Sequence, residues 1–256
     1  MKKFTSLLIS CSLALAGAAL AQQPNEQPTP KNKQGRWRSR ADRRCARHIK
    51  TITDCPPEGC GKKGRYDPNL NRRKNIRSDN DRTTLRTIGW IKNLPDPTNF
   101  TRQNPSRAEL AGLGEGKKIT VISYALVARK GGAESCNCGL TAPKDTDNHI
   151  VLVDPALKRP TLARSEDDSV TAEFTPRVRL DHAKFTREKL QPLIAAHSTL
   201  GVRVTGLLMF DSEHFLGHHL KRHNNWEIHP VLKLEYCPEG QTCSGTSGNW
   251  KNLDDL

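Results

Sequence analysis

The sequence predicts a mainly β (α+β) fold, a five-stranded barrel with one short helix, preceded by a basic, partly disordered arm. Two observations predict it. After residue 117 the chain becomes a series of short runs rich in β-branched and aromatic residues. The charge is also unevenly distributed: residues 27–107 hold 21 Lys/Arg and 7 Asp/Glu, whereas residues 108–256 hold 18 and 19.

Five of these runs are predicted to be strands, because they are short, apolar or alternating, and bounded by turn residues. They are Ile119–Ala128, His149–Val153, Ser169–Thr175, Val202–Phe210 and Glu227–Tyr236. In the third run, Val170, Ala172 and Phe174 alternate with polar residues, which is typical of a half-buried strand.

One helix is predicted between the third and fourth strands. Thr186 is its expected cap, and Leu190, Leu193, Ile194 and His197 recur at helical spacing. Pro192 favours a short or kinked helix, and Gly201 ends it. Three strands, a helix and two strands is the order of the OB-fold, so residues 108–256 are predicted to form an OB-like β domain.

The N-terminus predicts export. Residues 1–21 combine two early lysines, an apolar run and a closing Ala19-Leu20-Ala21, which is typical of a secretory signal peptide cleaved after Ala21. A lipoprotein processed at Cys11 is the alternative. We expect a periplasmic or extracellular protein without a transmembrane segment after cleavage, with a disordered linker at residues 22–44 and a basic, Cys-containing arm at residues 45–107.

Seven cysteines follow the signal peptide, so oxidation after export leaves at least one outside intramolecular pairs. The spacing of Cys55 and Cys60 suits a local loop disulfide, and so does that of Cys237 and Cys243.

Basic residues of the arm are candidate contacts for a polyanion, either nucleic acid or an acidic envelope polymer. The candidates are Arg72, Arg73 and Lys74, to which Arg222 and Trp226 are added from the C-terminal half. The alternatives are that the arm is a solvated spacer and that Trp226 only closes the barrel.

Cys136, Cys138 and His149 form a Cys-x-Cys-x10-His pattern, with Asp147 two residues before the histidine. Thiolate and imidazole ligands suit zinc or copper, and a carboxylate can orient the ring. The alternatives are that both cysteines form disulfides and that His149 is an ordinary strand residue.

A second polar cluster has five histidines between His214 and His229. His214 and His229 are candidate metal ligands, and Glu227 and His229 are candidate catalytic residues for water activation. A solvated loop is the alternative. The chain has no Gly-rich phosphate loop, no Gly-x-Ser-x-Gly motif and no His-Glu-x-x-His motif.

Four segments together resemble a family of uncharacterised secreted bacterial proteins. They are Glu134-Ser135-Cys136-Asn137-Cys138, Asp147-Asn148-His149-Ile150, Phe174-Thr175-Pro176-Arg177 and Asn225-Trp226-Glu227-Ile228-His229-Pro230. The resemblance covers about the last 140 residues. It implies export and a shared domain, and it assigns no catalytic residue.

Three hypotheses follow. The first is an exported binding module that engages a polyanion through its basic arm. The second is a metal-dependent hydrolase of phosphodiester type that uses the His/Glu cluster. The third is a disulfide-stapled envelope protein whose arm docks to acidic cell-wall material.

Overall fold

The computed structural model describes residues 48–61, 67–77, 82–98, 107–214 and 221–256. The predicted signal peptide, residues 1–21, and the predicted linker, residues 22–44, lie outside the described residues. Among those that are described, no helix combines the length and apolarity needed to cross a membrane.

Seven strands belong to one sheet. They are β1 (Thr84–Arg86), β2 (Lys118–Lys130), β3 (Asn148–Val153), β4 (Val170–Phe174), β5 (Leu200–Phe210), β6 (Trp226–Tyr236) and β7 (Lys251–Asn252). The five predicted strands are therefore present as β2 to β6, with ends shifted by at most two residues.

Strands β2 to β6 close into a barrel. The hydrogen-bonded order is β2, β3, β4, β6, β5 and back to β2. Only the β4–β6 pair is parallel within this ring. The crossover from β4 to β5 carries a helix, so the predicted five-stranded OB-like barrel is confirmed. Strand β1 adds to β2 in parallel, and β7 adds to β6.

The barrel interior is filled by every second residue of its strands, because successive side chains of a strand point to opposite faces. The buried core includes Val121, Ile150, Leu152, Ala172, Phe174, Val204, Leu208, Trp226 and Ile228. Gly206 lies where the register of β5 against β6 shifts. A Cβ there would lie 2.4 Å from the Pro230 carbonyl oxygen, so only glycine allows this close approach of the two strands.

Five α-helices are present among the described residues. They are α1 (Pro68–Lys74), α2 (Ile88–Lys92), α3 (Ala108–Leu113), α4 (Leu162–Ser165) and α5 (Arg187–Ala196). Short 3-10 turns occur at Ile52–Asp54, Pro143–Asp145, Glu166–Asp168, Val178–Leu180 and Leu253–Asp255. Helix α5 is the predicted one: Thr186 caps it by accepting from the Lys189 amide, and the helix continues through Pro192.

The described parts of residues 45–107 pack against the barrel. Ile88 and Ile91 of α2 are fully buried members of its core, and Trp90 packs against that core. Asp67 caps α1 by accepting from the amides of Asn69 and Leu70. The segment before residue 108 therefore contributes to the folded body as well as to the positive charge.

The disulfides correct one prediction. The Cys237–Cys243 bridge is confirmed, but the predicted Cys55–Cys60 bridge is wrong, because Cys55 is bonded to Cys138. Cys60 is disulfide-bonded to a different cysteine. The loop around Cys55 packs onto the loop around Cys138, where the Cys60 amide donates to the Ser135 carbonyl oxygen. Tertiary contact decides the pairing, which is compatible with export.

The two described bridges should differ in their contribution to stability. Cys55–Cys138 spans 83 residues and Cys237–Cys243 spans 6. Chain entropy predicts a loss of about 4.5 kcal/mol in the free energy of unfolding for the double variant Cys55→Ala/Cys138→Ala and about 2 kcal/mol for Cys237→Ala/Cys243→Ala. Urea unfolding measures both. Equal losses would show that the number of residues closed by each bridge does not determine its contribution to the free energy of unfolding.

Candidate metal centre

The outer face of the barrel carries a cluster of acidic residues and histidines. Ile150, Phe174 and Ile228 point into the core, so their neighbours on the same strands point outward. These neighbours are His149 of β3, Glu173 of β4, and Glu227 and His229 of β6. His149 lies directly opposite Glu173 in the antiparallel pair. In OB-folds the outer face of the second and third barrel strands, here β3 and β4, is the usual ligand surface.

A loop and a helix cover this face. The loop between β2 and β3 contributes Glu134, Cys136 and Asp147, and helix α1 lies against β6 and contributes Lys74. The loop approaches closely at Gly131, where a Cβ would lie 3.0 Å from His149 Nε2. The cover leaves Glu227 and His229 fully buried, whereas the His149 side chain is 35% exposed. Solvent therefore reaches part of the His149 ring, although the Nε2 atom that faces the cluster is buried.

Lys74 is buried against Glu134, with Nζ 3.3 Å from Oε2. Burial opposes the charge of Lys74, but Glu134 holds its pKa well above the usual range. Burial likewise opposes the charge of Glu134, but Lys74 and His149 hold the pKa of that carboxyl below its usual range. The pair is therefore ionised inside the cluster.

The two outward histidines share one carboxylate. Glu173 Oε2 lies 3.5 Å from His149 Nε2 and 3.2 Å from His229 Nδ1. His229 Nδ1 is also 3.1 Å from Glu227 Oε1, to which it is hydrogen-bonded. When one ring nitrogen of a histidine is hydrogen-bonded to a carboxylate, the other nitrogen can ligate a metal. His229 Nε2 has no hydrogen-bond partner.

Burial shifts the pKa values of the acids in this cluster. It raises the pKa of Glu173 to about 7, against the opposing effect of His149. It also raises the pKa of Asp147, where the charge of Glu134 adds to the effect. Glu173 in turn raises the pKa of His149 to about 10, against the opposing effect of burial. Protons therefore balance part of the negative charge when no cation is bound.

Three groups of side chains have ligand atoms close enough to hold a metal ion. They are Glu134 with His149 and Glu173, Glu134 with Cys136 and Asp147, and Asp147 with Glu173 and His229. Within each group the ligand atoms lie within 4.8 Å of one another. Four buried atoms of these groups, Asp147 Oδ1, His149 Nε2, Glu173 Oε2 and His229 Nε2, have no hydrogen-bond partner. Each such orphan costs about 1–3 kcal/mol, so a ligand that satisfies them would be stabilising.

Of the five metal ligands predicted from sequence, three belong to the ligand groups and two do not. Cys136, His149 and His229 belong to the three groups. Cys138 does not, because its sulfur is bonded to Cys55 and is lost as a ligand. His214 lies next to Asp211, to which its Nδ1 is hydrogen-bonded. Two other histidines of the predicted cluster, His218 and His219, lie outside the described residues.

The predicted polyanion contacts are mostly internal. Lys74 is buried, and Arg222 bridges Asp211 and Glu227 at 2.7 and 2.8 Å with a nearly buried side chain. Trp226 closes the barrel interior, where its indole donates to the Pro95 carbonyl oxygen at 3.0 Å. Arg73 lies 3.4 Å from Glu115, while Arg72 is largely exposed near Glu58. The position of Trp226 fits the alternative interpretation, in which this residue closes the barrel, better than a contact with a polyanion.

Sequence reasoning missed Glu134 and Glu173 as candidate ligands. Glu173 occupies an outward position in a strand whose alternation was recognised, so its face could have been inferred from that pattern. Glu134 lies two residues before Cys136, and no pattern in the sequence identifies it as a ligand. The sequence predicts Lys74 as a polyanion contact of the basic arm, and only the packing of α1 shows that its charge lies inside the cluster.

No family model matches the chain, and no curated protein matches it. One solved structure is similar, that of a protein from Leishmania major Friedlin described as an aspartyl-tRNA synthetase. The identity is 15%, and the match covers 62% of this chain and 22% of that chain. The TM-score of 0.30 is too low for this similarity to support any conclusion on fold or function. The fold and the site together define a barrel of OB topology with a cluster of residues on its outer face that could hold a metal ion.

Replacing Lys74 should strongly destabilise the metal-free protein. Lys74→Met leaves Glu134 without its cation, and breaking a buried pair in this way costs about 3–5 kcal/mol. The matched control is Arg72→Met on the same helix, whose side chain is 59% exposed and whose loss should cost at most about 0.5 kcal/mol. Chemical denaturation with a chelator present measures both. A Lys74→Met protein as stable as the control would contradict the ionised pair.

Proposed function

We propose that this protein is a divalent-metal-dependent hydrolase that cleaves phosphodiester bonds in a polyanionic substrate. One observation carries the proposal: histidine and carboxylate ligand atoms converge on the outer face of β3, β4 and β6, and several of them are buried without a hydrogen-bond partner. A purely structural ion-pair network would leave few such orphans.

The chain's own residues have separate roles in this proposal. Glu134, Asp147, His149, Glu173 and His229 are the candidate ligands. Glu227 is a positioning residue, because it accepts from His229 Nδ1 and is itself held by Arg222. A bound divalent metal would supply Lewis acidity and lower the pKa of a bound water. Hydrolysis adds water across a P–O bond, giving a phosphomonoester and an alcohol, with the proton passing to the leaving oxygen.

The ligand set indicates which metal to expect. Imidazole suits zinc, copper, iron and nickel, whereas carboxylates suit magnesium, calcium and manganese. Three carboxylates and two imidazoles therefore favour zinc or manganese over the copper that the Cys-x-Cys pattern also suggested. The free thiol of Cys136 is a further soft ligand, although burial raises its pKa well above the usual range.

Surface charge supports a polyanionic substrate. Residues 108–256 contain 19 acidic residues, and eight of these are buried: Glu115, Asp145, Asp147, Glu166, Glu173, Asp211, Glu227 and Glu235. Of the 18 Lys and Arg residues in the same range, Arg222 has a nearly buried side chain. Outside the eight buried acids and Arg222, eleven acidic residues therefore remain against 17 basic ones, so the exposed part of the barrel is more basic than its composition indicates. Such a surface attracts phosphodiester polymers.

Metal removal should abolish hydrolysis. We expect purified protein to contain zinc or manganese and to cleave single- or double-stranded nucleic acid, with activity lost in a chelator and restored by the metal. His149→Ala and His229→Ala should each lower activity at least about 100-fold. His197→Ala is the matched control, because His197 lies outside the three ligand groups and its Nδ1 is hydrogen-bonded to the Leu193 carbonyl oxygen of its own helix. Full activity in the chelator would refute the proposal.

The second candidate is a binding module that holds a polyanion without cleaving it, as the arm's charge suggests. Its support is the basic segment at residues 22–44, which contains seven Lys/Arg and two Asp/Glu. In the described part of the arm, by contrast, most basic side chains are paired with carboxylates. These are Arg72, Arg73, Lys74, Arg77, Lys92 and Arg107.

Deleting residues 22–44 tests this candidate without removing the core residues of α2. We expect at least about tenfold weaker binding to nucleic acid and a flatter dependence of the binding constant on salt, because fewer counterions are released. The control keeps the length of the segment and replaces its Lys and Arg with Gln, and it should behave like the deletion. An unchanged salt slope in both variants would exclude the segment as the contact.

A further inference from the structure

The ligand groups place the two outward histidines, His149 and His229, in different groups. His149 groups with Glu134 and Glu173, and His229 groups with Asp147 and Glu173. No group among the described residues contains both histidines. Ligand atoms lie about 2.0–2.2 Å from a zinc ion, so two ligands of one ion are at most about 4.4 Å apart. The two histidines in this arrangement therefore belong to different ion positions.

We propose that the cluster is a two-metal centre in which Glu173 bridges two divalent ions. The inference rests on the proposed function and deepens it. One ion would be held by Glu134, His149 and Glu173, and the other by Asp147, Glu173 and His229. In two-metal hydrolytic sites the ions are about 3.5–4 Å apart and are commonly placed on both sides of the scissile phosphorus.

Glu173 has the geometry that a bridge requires. Its side chain is buried at the middle of the cluster, and its Oε2 has no hydrogen-bond partner although it lies between His149 Nε2 and His229 Nδ1. A carboxylate has two oxygens with about four lone-pair sites, so it can serve two cations at once. Asp147 Oδ1 and His229 Nε2, which are fully buried and without partners, provide unused ligand atoms on one side of this bridge.

The third ligand group connects the two proposed ion positions. Cys136 Sγ lies 3.4 Å from Glu134 Oε2 and 3.7 Å from Asp147 Oδ2. Asn137 also donates to Asp147 Oδ2 at 2.8 Å. The thiol therefore lies between one terminal carboxylate of each ion position. Its contacts fix the spacing of Glu134 and Asp147, which makes Cys136 a positioning residue for the pair.

Charge distinguishes a two-ion centre from a one-ion centre. The three ligand carboxylates carry three negative charges when ionised, and Lys74 balances the charge of Glu134 as Arg222 balances that of Glu227. One divalent ion therefore leaves the centre neutral, whereas two make it net positive. A net positive centre attracts a phosphodiester anion, and a neutral one does not.

The test is manganese loading of the full-length mature protein, with equilibrium dialysis for the number of bound ions and electron paramagnetic resonance for their coupling. We expect about two manganese ions per chain and an exchange-coupled spectrum. His149→Ala and His229→Ala should each retain about one ion with an uncoupled spectrum. Glu173→Gln should lose the coupling. Glu235→Gln, a β6 carboxylate outside the three ligand groups, is the matched control and should keep two coupled ions.

The outcomes separate this inference from the proposed function. About one uncoupled ion per chain in the unaltered protein, with hydrolysis that depends on it, would overturn the two-metal centre and leave the hydrolase proposal standing. No bound ion would overturn both. The unaltered protein decides between these results even where a variant fails to fold, which near-ultraviolet circular dichroism would show.

Discussion

The burial of ionisable groups on the outer face of the barrel is the constraint on which the rest of this structure depends. Glu173, Glu227 and His229 lie on strands whose opposite faces form the core, so the chain places charge directly behind an apolar interior. Such charges are tolerated in a buried place only when they are paired or bind cations. Lys74 and Arg222 supply two positive charges, and each pairs with a carboxylate of this face, Lys74 with Glu134 and Arg222 with Glu227.

The cover converts an open ligand surface into a partly enclosed centre. The Cys55–Cys138 bridge joins the segment before α1 to the loop that carries Glu134 and Cys136. Arg177 adds to this junction by donating to the Cys55 carbonyl oxygen. The enclosure lowers the local dielectric and strengthens every interaction within it, while part of the His149 side chain remains exposed to solvent. Helix α1 and the loop between β2 and β3 therefore add residues to a site whose other residues lie on the barrel strands.

The accuracy of the sequence-based predictions depended on the range of the interactions involved. The five strands and the helix capped by Thr186 were predicted well, because alternation, helical spacing and capping are properties of neighbouring residues. His149 and His229 were identified because histidine is conspicuous in a strand. Glu173 and Lys74 were missed or misplaced, because a carboxylate or an ammonium becomes a site residue only when distant segments bury it. The Cys55 pairing failed for the same reason, since its partner lies 83 residues away.

The sequence by itself determined the order of the five barrel strands and of the helix between the third and fourth, and with it the OB topology, because hydrophobic periodicity and turn residues specify each strand locally. It also determined the separation between a basic N-terminal half and a nearly neutral C-terminal half. The two short strands β1 and β7 and the helices α1 to α4 were not predicted. The tertiary structure alone decided which charges are internal. Burial and pairing depend on the contacts between α1, the loop before β3 and the outer face of the barrel, and these contacts join residues too far apart in the chain for local patterns to record them.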